Sequence, residues 1–233
     1  MEARQPRRVA LVTGAAGTVG RAVTERLAAE GFAVAGIDIR ECTADLPLVV
    51  DVTDRGQMKA AAEQVAREVG PVSVLVTAHG RHAAAPFGEL SPVEWQLLLE
   101  THLGGTVNAC AAVVPSMVAA GAGTVVTTSS WLALAGVAGE AYFAAATGTI
   151  LAFTKSFSLE VAPKGVSVNC IAVGPLEGRG MPAKLREHQP RPEELPIQRY
   201  VHPSEVADTV AFLVRDGAFF VGQVLSAAGG AVV

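Results

Sequence analysis

Charge is scarce in this chain of 233 residues: Asp, Glu, Lys and Arg supply 17% of it, against roughly 25% in an average soluble domain. Half of the residues are hydrophobic, which excludes intrinsic disorder and demands a large buried core or interface. Eighteen Lys and Arg stand against 22 Asp and Glu, for a net charge of -4. No basic run breaks that balance, so the footprint expected of a nucleic-acid partner or an anionic membrane surface is missing. Cysteine is equally sparse. Cys42, Cys110 and Cys170 are odd in number and far apart, which argues against a disulfide framework or a zinc site and predicts a reduced, cytoplasmic setting. The charged start, Met1 to Arg8, is followed by an apolar run that stops at Thr13-Gly14, too early for a signal peptide. Trp131 to Phe153 carries Glu140 as its sole charge, and its length would suit a bilayer. Its alanines, glycines, threonines and tyrosine instead predict a buried loop and helix. Small molecules remain as ligands.

Short apolar runs recur along the chain: 9–12, 33–37, 48–50, 72–76, 124–127, 166–168 and 223–225. Their hydrophobicity is continuous rather than alternating, the mark of strands covered on both faces. Helical stretches lie between them at 18–30, 54–69, 92–119, 142–161 and 204–214. Ser91-Pro92-Val93-Glu94 combines a cap, a first-turn proline and a reciprocal Glu, the signature of a helix start. The rhythm predicts a single α/β domain over residues 1–233, a Rossmann-type doubly wound parallel sheet. One long irregular stretch, Gly174 to His202, holds Pro175, Pro182, Pro190, Pro192 and Pro196. A connection of that length reads as a lid over a substrate site.

Thr13-Gly14-Ala15-Ala16-Gly17-Thr18-Val19-Gly20 follows the first strand and opens the first helix. Glycines at such a turn let a pyrophosphate approach the helix N-terminus, where unpaired N–H groups and the helix dipole favour negative charge. Asp38 ends the second strand 24 residues after Gly14, where a carboxylate accepts hydrogen bonds from adenosine ribose hydroxyls and repels a 2′-phosphate. The expected cofactor is NAD or NADP, with NAD favoured, although Arg40 lies close enough to moderate the repulsion. Asp51 and Val52, after the third strand, are expected at the adenine edge.

With this turn, Ser129-Ser130 after the fifth strand, Tyr142 opening a helix and Asn169-Cys170-Ile171-Ala172-Val173-Gly174-Pro175 after the sixth, the chain resembles the short-chain dehydrogenase/reductase family. The stretch Glu160 to Asn169, Pro203-Ser204-Glu205-Val206-Ala207 and the ending Gly222-Gln223-Val224-Leu225 through Gly229-Gly230 bring it nearest to the β-ketoacyl reductases. The resemblance implies a Ser that positions a substrate carbonyl, here Ser129 or Ser130, and a Tyr that moves the proton, here Tyr142. It also implies cofactor contacts from Ala78, Gly80 and Gly174, and tetramers built through the long helices and the last strand.

Several positions depart from that family. Its Lys, four residues after the Tyr, is Ala146; its helix Asn is His102; its Asn-Asn-Ala-Gly loop reads Thr77-Ala78-His79-Gly80. Thr18 replaces a glycine of the phosphate turn, Gly178 a Thr that bonds the nicotinamide amide, and Ala228 an Asp near the end. A phenol without a neighbouring cation holds its proton at neutral pH and is a poor base. Loss of one such acid-base contribution is worth about two to four orders of magnitude in rate. Lys155 lies thirteen residues past Tyr142, about 20 Å along one helix, too far to substitute. Two readings follow. In the first, the chain is a weakly catalytic or non-catalytic subunit, assembled with an active paralogue that acts on small or carrier-bound 3-keto or 3-hydroxy acyl substrates. In the second it is a self-sufficient NAD(P)-dependent oxidoreductase, with His102 assisting Tyr142 and a serine. His102 as a hydrogen-bonded helix residue and His79 as a loop residue are the plainer expectations.

Overall fold

The computed structural model describes residues 7–177 and 189–232. Seven parallel strands form one sheet in the order β3-β2-β1-β4-β5-β6-β7, with β1 Val9–Thr13, β2 Ala33–Asp38, β3 Leu46–Val49, β4 Val72–Thr77, β5 Gly123–Ser130, β6 Val166–Val173 and β7 Val224–Ala227. The helices are α1 Thr18–Ala29, α2 Arg55–Glu68, α3 Pro92–Leu99, α4 Gly105–Ala120, α5 Ala141–Val161 and α6 Pro203–Asp216. The order reverses between β1 and β4, and in such sheets a crevice opens beyond the carboxyl ends of the strands at that point.

Strand pleating explains the continuous apolar runs. Val9 and Leu11 face one layer with Met58 and Val65 of α2 and Val113 and Met117 of α4. Ala10 and Val12 face the other with Val23 and Leu27 of α1 and Val206 and Val210 of α6. Since successive side chains point to opposite faces, a strand covered on both must be apolar at every position. The edge strands β3 and β7 escape this rule, and their residues are half-buried or exposed.

Two expectations are corrected. The stretch 92–119 is not one uninterrupted helix: a π-helical turn, Glu100–Gly104, separates α3 from α4. Gly105, just beyond that turn, lets α4 press against the neighbouring loops, because a Cβ there would sit 2.6 Å from His79 Nε2 and 2.7 Å from Val52 Cγ2. The third strand begins two residues earlier than its apolar core suggested. The stretch 131–153 is a one-turn 3-10 helix, a loop and the first part of α5. Among the described residues, Pro92–Ala120 is the one helical stretch long and apolar enough to cross a membrane, and Leu98, Val113 and Met117 tuck it into the protein core.

Of the lid-like segment, residues 178–188, with Gly178 among them, lie outside the described residues. Its ends are anchored: Leu176 bridges Val201, and Leu195 is buried. The last strand is held by Asn169, whose side-chain amide donates to the Phe220 carbonyl at 2.9 Å and accepts from the Gln223 N–H at 2.9 Å. Asn169→Ala strips both partners, and urea unfolding should show a loss of about 2 kcal/mol, the scale of unpaired buried polar groups.

Candidate active site

The phosphate turn is shaped by backbone crowding. Gly14 has φ +69°, and a Cβ on it would lie 2.5 Å from the Ala78 carbonyl oxygen. A Cβ on Gly20 would lie 2.1 Å from the Gly14 carbonyl oxygen. Only glycine fits either place. Gly17 caps α1 without any side-chain hydrogen bond to the helix amides, so the first-turn N–H groups lack the side-chain acceptor that usually satisfies them. That is the arrangement a pyrophosphate completes.

Asp38 is buried at the end of β2, where its carboxylate accepts from the backbone N–H of Ala16 at 3.1 Å and of Arg40 at 3.1 Å. The Arg40 guanidinium is 3.4 Å away and mostly exposed, a weak pairing. A cleft of about 480 Å³ is lined by Gly14, Gly17, Asp38, Asp51, Val52, Ala78, Gly80 and His82, among others. The Asp51 carboxylate accepts from the Thr53 N–H and hydroxyl at 2.9 and 2.7 Å, which leaves Val52 facing the cleft. These residues fit a dinucleotide. Thr13, Thr18, Val19, Gly20 and Gly174 do not line the cleft. Thr13 turns its hydroxyl to His79, Thr18 is exposed at the start of α1, and Val19 packs into the α1–α6 layer. Gly174 is pressed against β7, where its Cβ would stand 2.4 Å from Ala228 Cα.

The four expected catalytic side chains all have structural partners. The Ser129 hydroxyl donates to the Thr147 carbonyl on α5 at 2.8 Å, while Ser130 Oγ accepts from the Leu132 N–H at 3.2 Å and caps a 3-10 turn. Tyr142 Oη accepts from the Gly88 N–H at 3.2 Å, and its ring stacks on the exposed Phe87 at 5.9 Å. His102 is buried, and its Nε2–H donates to the Arg81 carbonyl at 2.8 Å. Ala146, where the resemblance implies a Lys, is fully buried, and Lys155 is exposed. Trp131 is buried with Leu132 and Ala228 and fills space rather than lining the cleft.

Three side chains that the sequence reading did not single out as site residues contribute as well. Asn108 Nδ2 on α4 donates to the carbonyls of Val52 and Thr53 at 3.0 and 3.1 Å, holding the loop that borders the cleft. His82 Nε2 lies 2.8 and 3.1 Å from the two carboxylate oxygens of Glu140. Glu140 is 1% exposed. Its isolation in an apolar stretch was the available signal, because a lone buried carboxylate needs a partner; nothing local marked His82 as that partner.

Burial also governs the other titratable groups. His79, half-buried beside the phosphate turn, is pulled down to about 4 by desolvation, helped by the charge on His102 and opposed by nearby backbone carbonyls of Thr101 and His102. Desolvation likewise lowers His102, against the Arg81 carbonyl, which favours its charged form. Burial pushes the Cys110 thiol up to about 12 and Cys170 up to about 11, so neither supplies a thiolate at neutral pH.

Residues 8–190 match the family described as short chain dehydrogenase. A 3-oxoacyl-(acyl-carrier-protein) reductase of Thermotoga maritima is 32% identical over 97% of this chain and 98% of its own length. A cis-4-hydroxycyclohexanecarboxylate dehydrogenase of Sinomonas cyclohexanicum is 34% identical over 96% of each chain. Among solved structures, a ligand-free aldohexose dehydrogenase of Thermoplasma acidophilum superposes with a TM-score of 0.88 at 28% identity, covering 96% of this chain and 93% of that one. An NAD+-bound xylitol dehydrogenase also gives 0.88, at 26% identity, covering 97% and 100%.

The neutral His79 generates a pH prediction. Its proton affinity is lower folded than unfolded, so between pH 6.5 and about 4 the unfolded chain binds more protons and stability falls with acidification. The full effect is on the order of 3 kcal/mol. Urea titrations at pH 7 and pH 4.5 should show this loss in the wild type and a smaller one in His79→Asn.

Proposed function

Since the chain belongs to the short-chain dehydrogenase family, we propose that it binds NAD in preference to NADP and interconverts a ketone and a secondary alcohol on 3-oxo or 3-hydroxy acyl-type substrates. The observation that carries this reading is the glycine turn, with Gly14 and Gly17, and the buried Asp38 carboxylate lining one cleft. When bound, the dinucleotide supplies the hydride acceptor or donor. The chain's own part is to bind and orient. The α1 N-terminus takes the pyrophosphate, Asp38 the adenosine ribose hydroxyls, and Asp51 and Val52 border the adenine. The acyl class is favoured by full-length similarity to a 3-oxoacyl reductase. The name of the cis-4-hydroxycyclohexanecarboxylate dehydrogenase of similar identity likewise points to a secondary alcohol on a molecule that carries a carboxylate.

A specific observation favours a second reading, in which the chain is a weakly catalytic subunit of a homo- or hetero-oligomer completed by an active paralogue. Ala146, where the resemblance implies the lysine, is buried, and the Tyr142 phenol is engaged by Gly88. Turnover by the isolated chain separates the two. With NADH and a 3-oxobutyryl thioester, measurable reduction supports the first reading; NADH binding without turnover, with rate gained on mixing with a complete relative, supports the second. In either case we place the protein in the reduced cytoplasm, in keeping with its free thiols.

Cofactor choice tests the binding reading. Calorimetric titration should give NADH at least tenfold tighter than NADPH, equivalent to about 1.4 kcal/mol. Asp38→Ser should bring the two within about threefold, because the charge that repels the 2′-phosphate is gone. Equal affinities in the wild type would overturn the assignment of Asp38.

A further inference from the structure

We propose that His82, oriented by Glu140, is the proton carrier of this site, in place of the tyrosine and lysine that the resemblance implies. The inference rests on the oxidoreductase reading above. His82 lies in the loop after β4 and lines the same cleft as Gly14 and Gly17 of the phosphate turn. The ring is largely buried, with 16% of its side chain exposed. Its Nε2 faces both oxygens of the Glu140 carboxylate, and since an ionised carboxylate only accepts, Nε2 carries the hydrogen. In the neutral imidazole Nδ1 then holds the lone pair. It has no partner among the described residues, yet it is not among the sealed, unpaired atoms, so it keeps some solvent access in a side chain that lines the cleft.

The carboxylate is what makes the arrangement more than a surface histidine. Glu140 is enclosed, and His82 is its hydrogen-bonding side-chain partner among the described residues. The Phe143 ring packs on the imidazole at 4.6 Å and separates it from His102, which meets the same phenyl edge-on at 5.5 Å. Arg81 adjoins in the chain, and among the described residues Glu140 and, across the Phe143 ring, His102 are the other titratable groups near the imidazole. An imidazole held in one tautomer by a carboxylate behind it, with the opposite nitrogen free, is the arrangement of a general base. By contrast, the Tyr142 oxygen is bound to a loop amide.

In the oxidative direction the carbinol C–H bond breaks and its hydride leaves to the bound nicotinamide dinucleotide. The hydroxyl O–H bond breaks as its proton passes to His82 Nδ1, and the carbon–oxygen bond becomes a carbonyl. The imidazolium is stabilised by Glu140 and later returns the proton to water. Reduction runs these steps in reverse. Glu140 is a positioning residue, acting only through His82.

The test compares the full chain with His82→Gln, Glu140→Gln and Tyr142→Phe. Glutamine at 82 keeps a donor for Glu140 and so preserves the loop contact, but it cannot carry a proton. With NAD+ and cis-4-hydroxycyclohexanecarboxylate, or NADH and a 3-oxobutyryl thioester, His82→Gln should lose about 10²- to 10⁴-fold in kcat. Its NADH affinity and urea midpoint should stay at wild-type values, and Tyr142→Phe should stay within about fivefold of wild type. Long-range proton–nitrogen NMR of the wild type should show His82 as the Nε2–H tautomer, and Glu140→Gln should give mixed tautomers with a fall in kcat at unchanged KM. A wild-type His82 protonated on Nδ1, or His82→Gln turning over normally while Tyr142→Phe is dead, overturns the proposal. NADH binding with no turnover by the isolated chain overturns it too, while leaving the dinucleotide site standing. Failure of NADH to bind removes the reading beneath it.

Discussion

Three stretches of backbone meet at the head of the cleft with no room for a side chain between them. Gly14 passes beside the β4 exit at Ala78, and Gly20 in the first turns of α1 lies against Gly14. Side chains at these positions would push the turn away from β4 and tilt α1 off the sheet. The closeness of these segments sets the direction of the α1 amides and the distance from the turn to Asp38. It also sets the line along which the β4 loop continues to His79, Gly80 and His82. The rest of the site depends on this approach.

The cleft has two halves built on different physics. The turn half is held by backbone: glycine contacts, a carboxylate tied to main-chain N–H groups, and an asparagine tied to main-chain carbonyls. Its ligand is recognised by exposed amides and one fixed charge. The other half is held by side chains, with His82 and His102 packed on Phe143 and His79 bonded to Thr13. Burial keeps His79 neutral, so it serves as a hydrogen-bonding filler beneath Thr13. His82, next to a buried acid and lining the cleft, stands in a different environment only a few residues away.

Much of the architecture was legible along the chain. Strands covered on both faces read as unbroken apolar runs, and helix starts showed their caps, as at Ser91, where the expected capping box with Glu94 forms. The glycine spacing and Asp38 led to the cleft, since both act through backbone geometry that local sequence dictates. The break at Glu100–Gly104 was hidden because a π-helical turn leaves the apolar periodicity almost intact. The roles expected of Ser129, Ser130 and Tyr142 came from position in the family pattern. In the folded chain their hydroxyls meet Thr147, Leu132 and Gly88.

What the amino-acid order determined by itself was everything written in local periodicity and steric permission: the alternating elements, the parallel sheet and the glycine turn with its carboxylate. The pairing of His82 with Glu140, which are 58 residues apart, was decided only by tertiary structure. So were the burial that neutralises His79 and the capture of the Tyr142 phenol by Gly88. Proton affinity and hydrogen-bond partnership depend on which segments share a dry space, and that follows from chain folding rather than from neighbours in sequence.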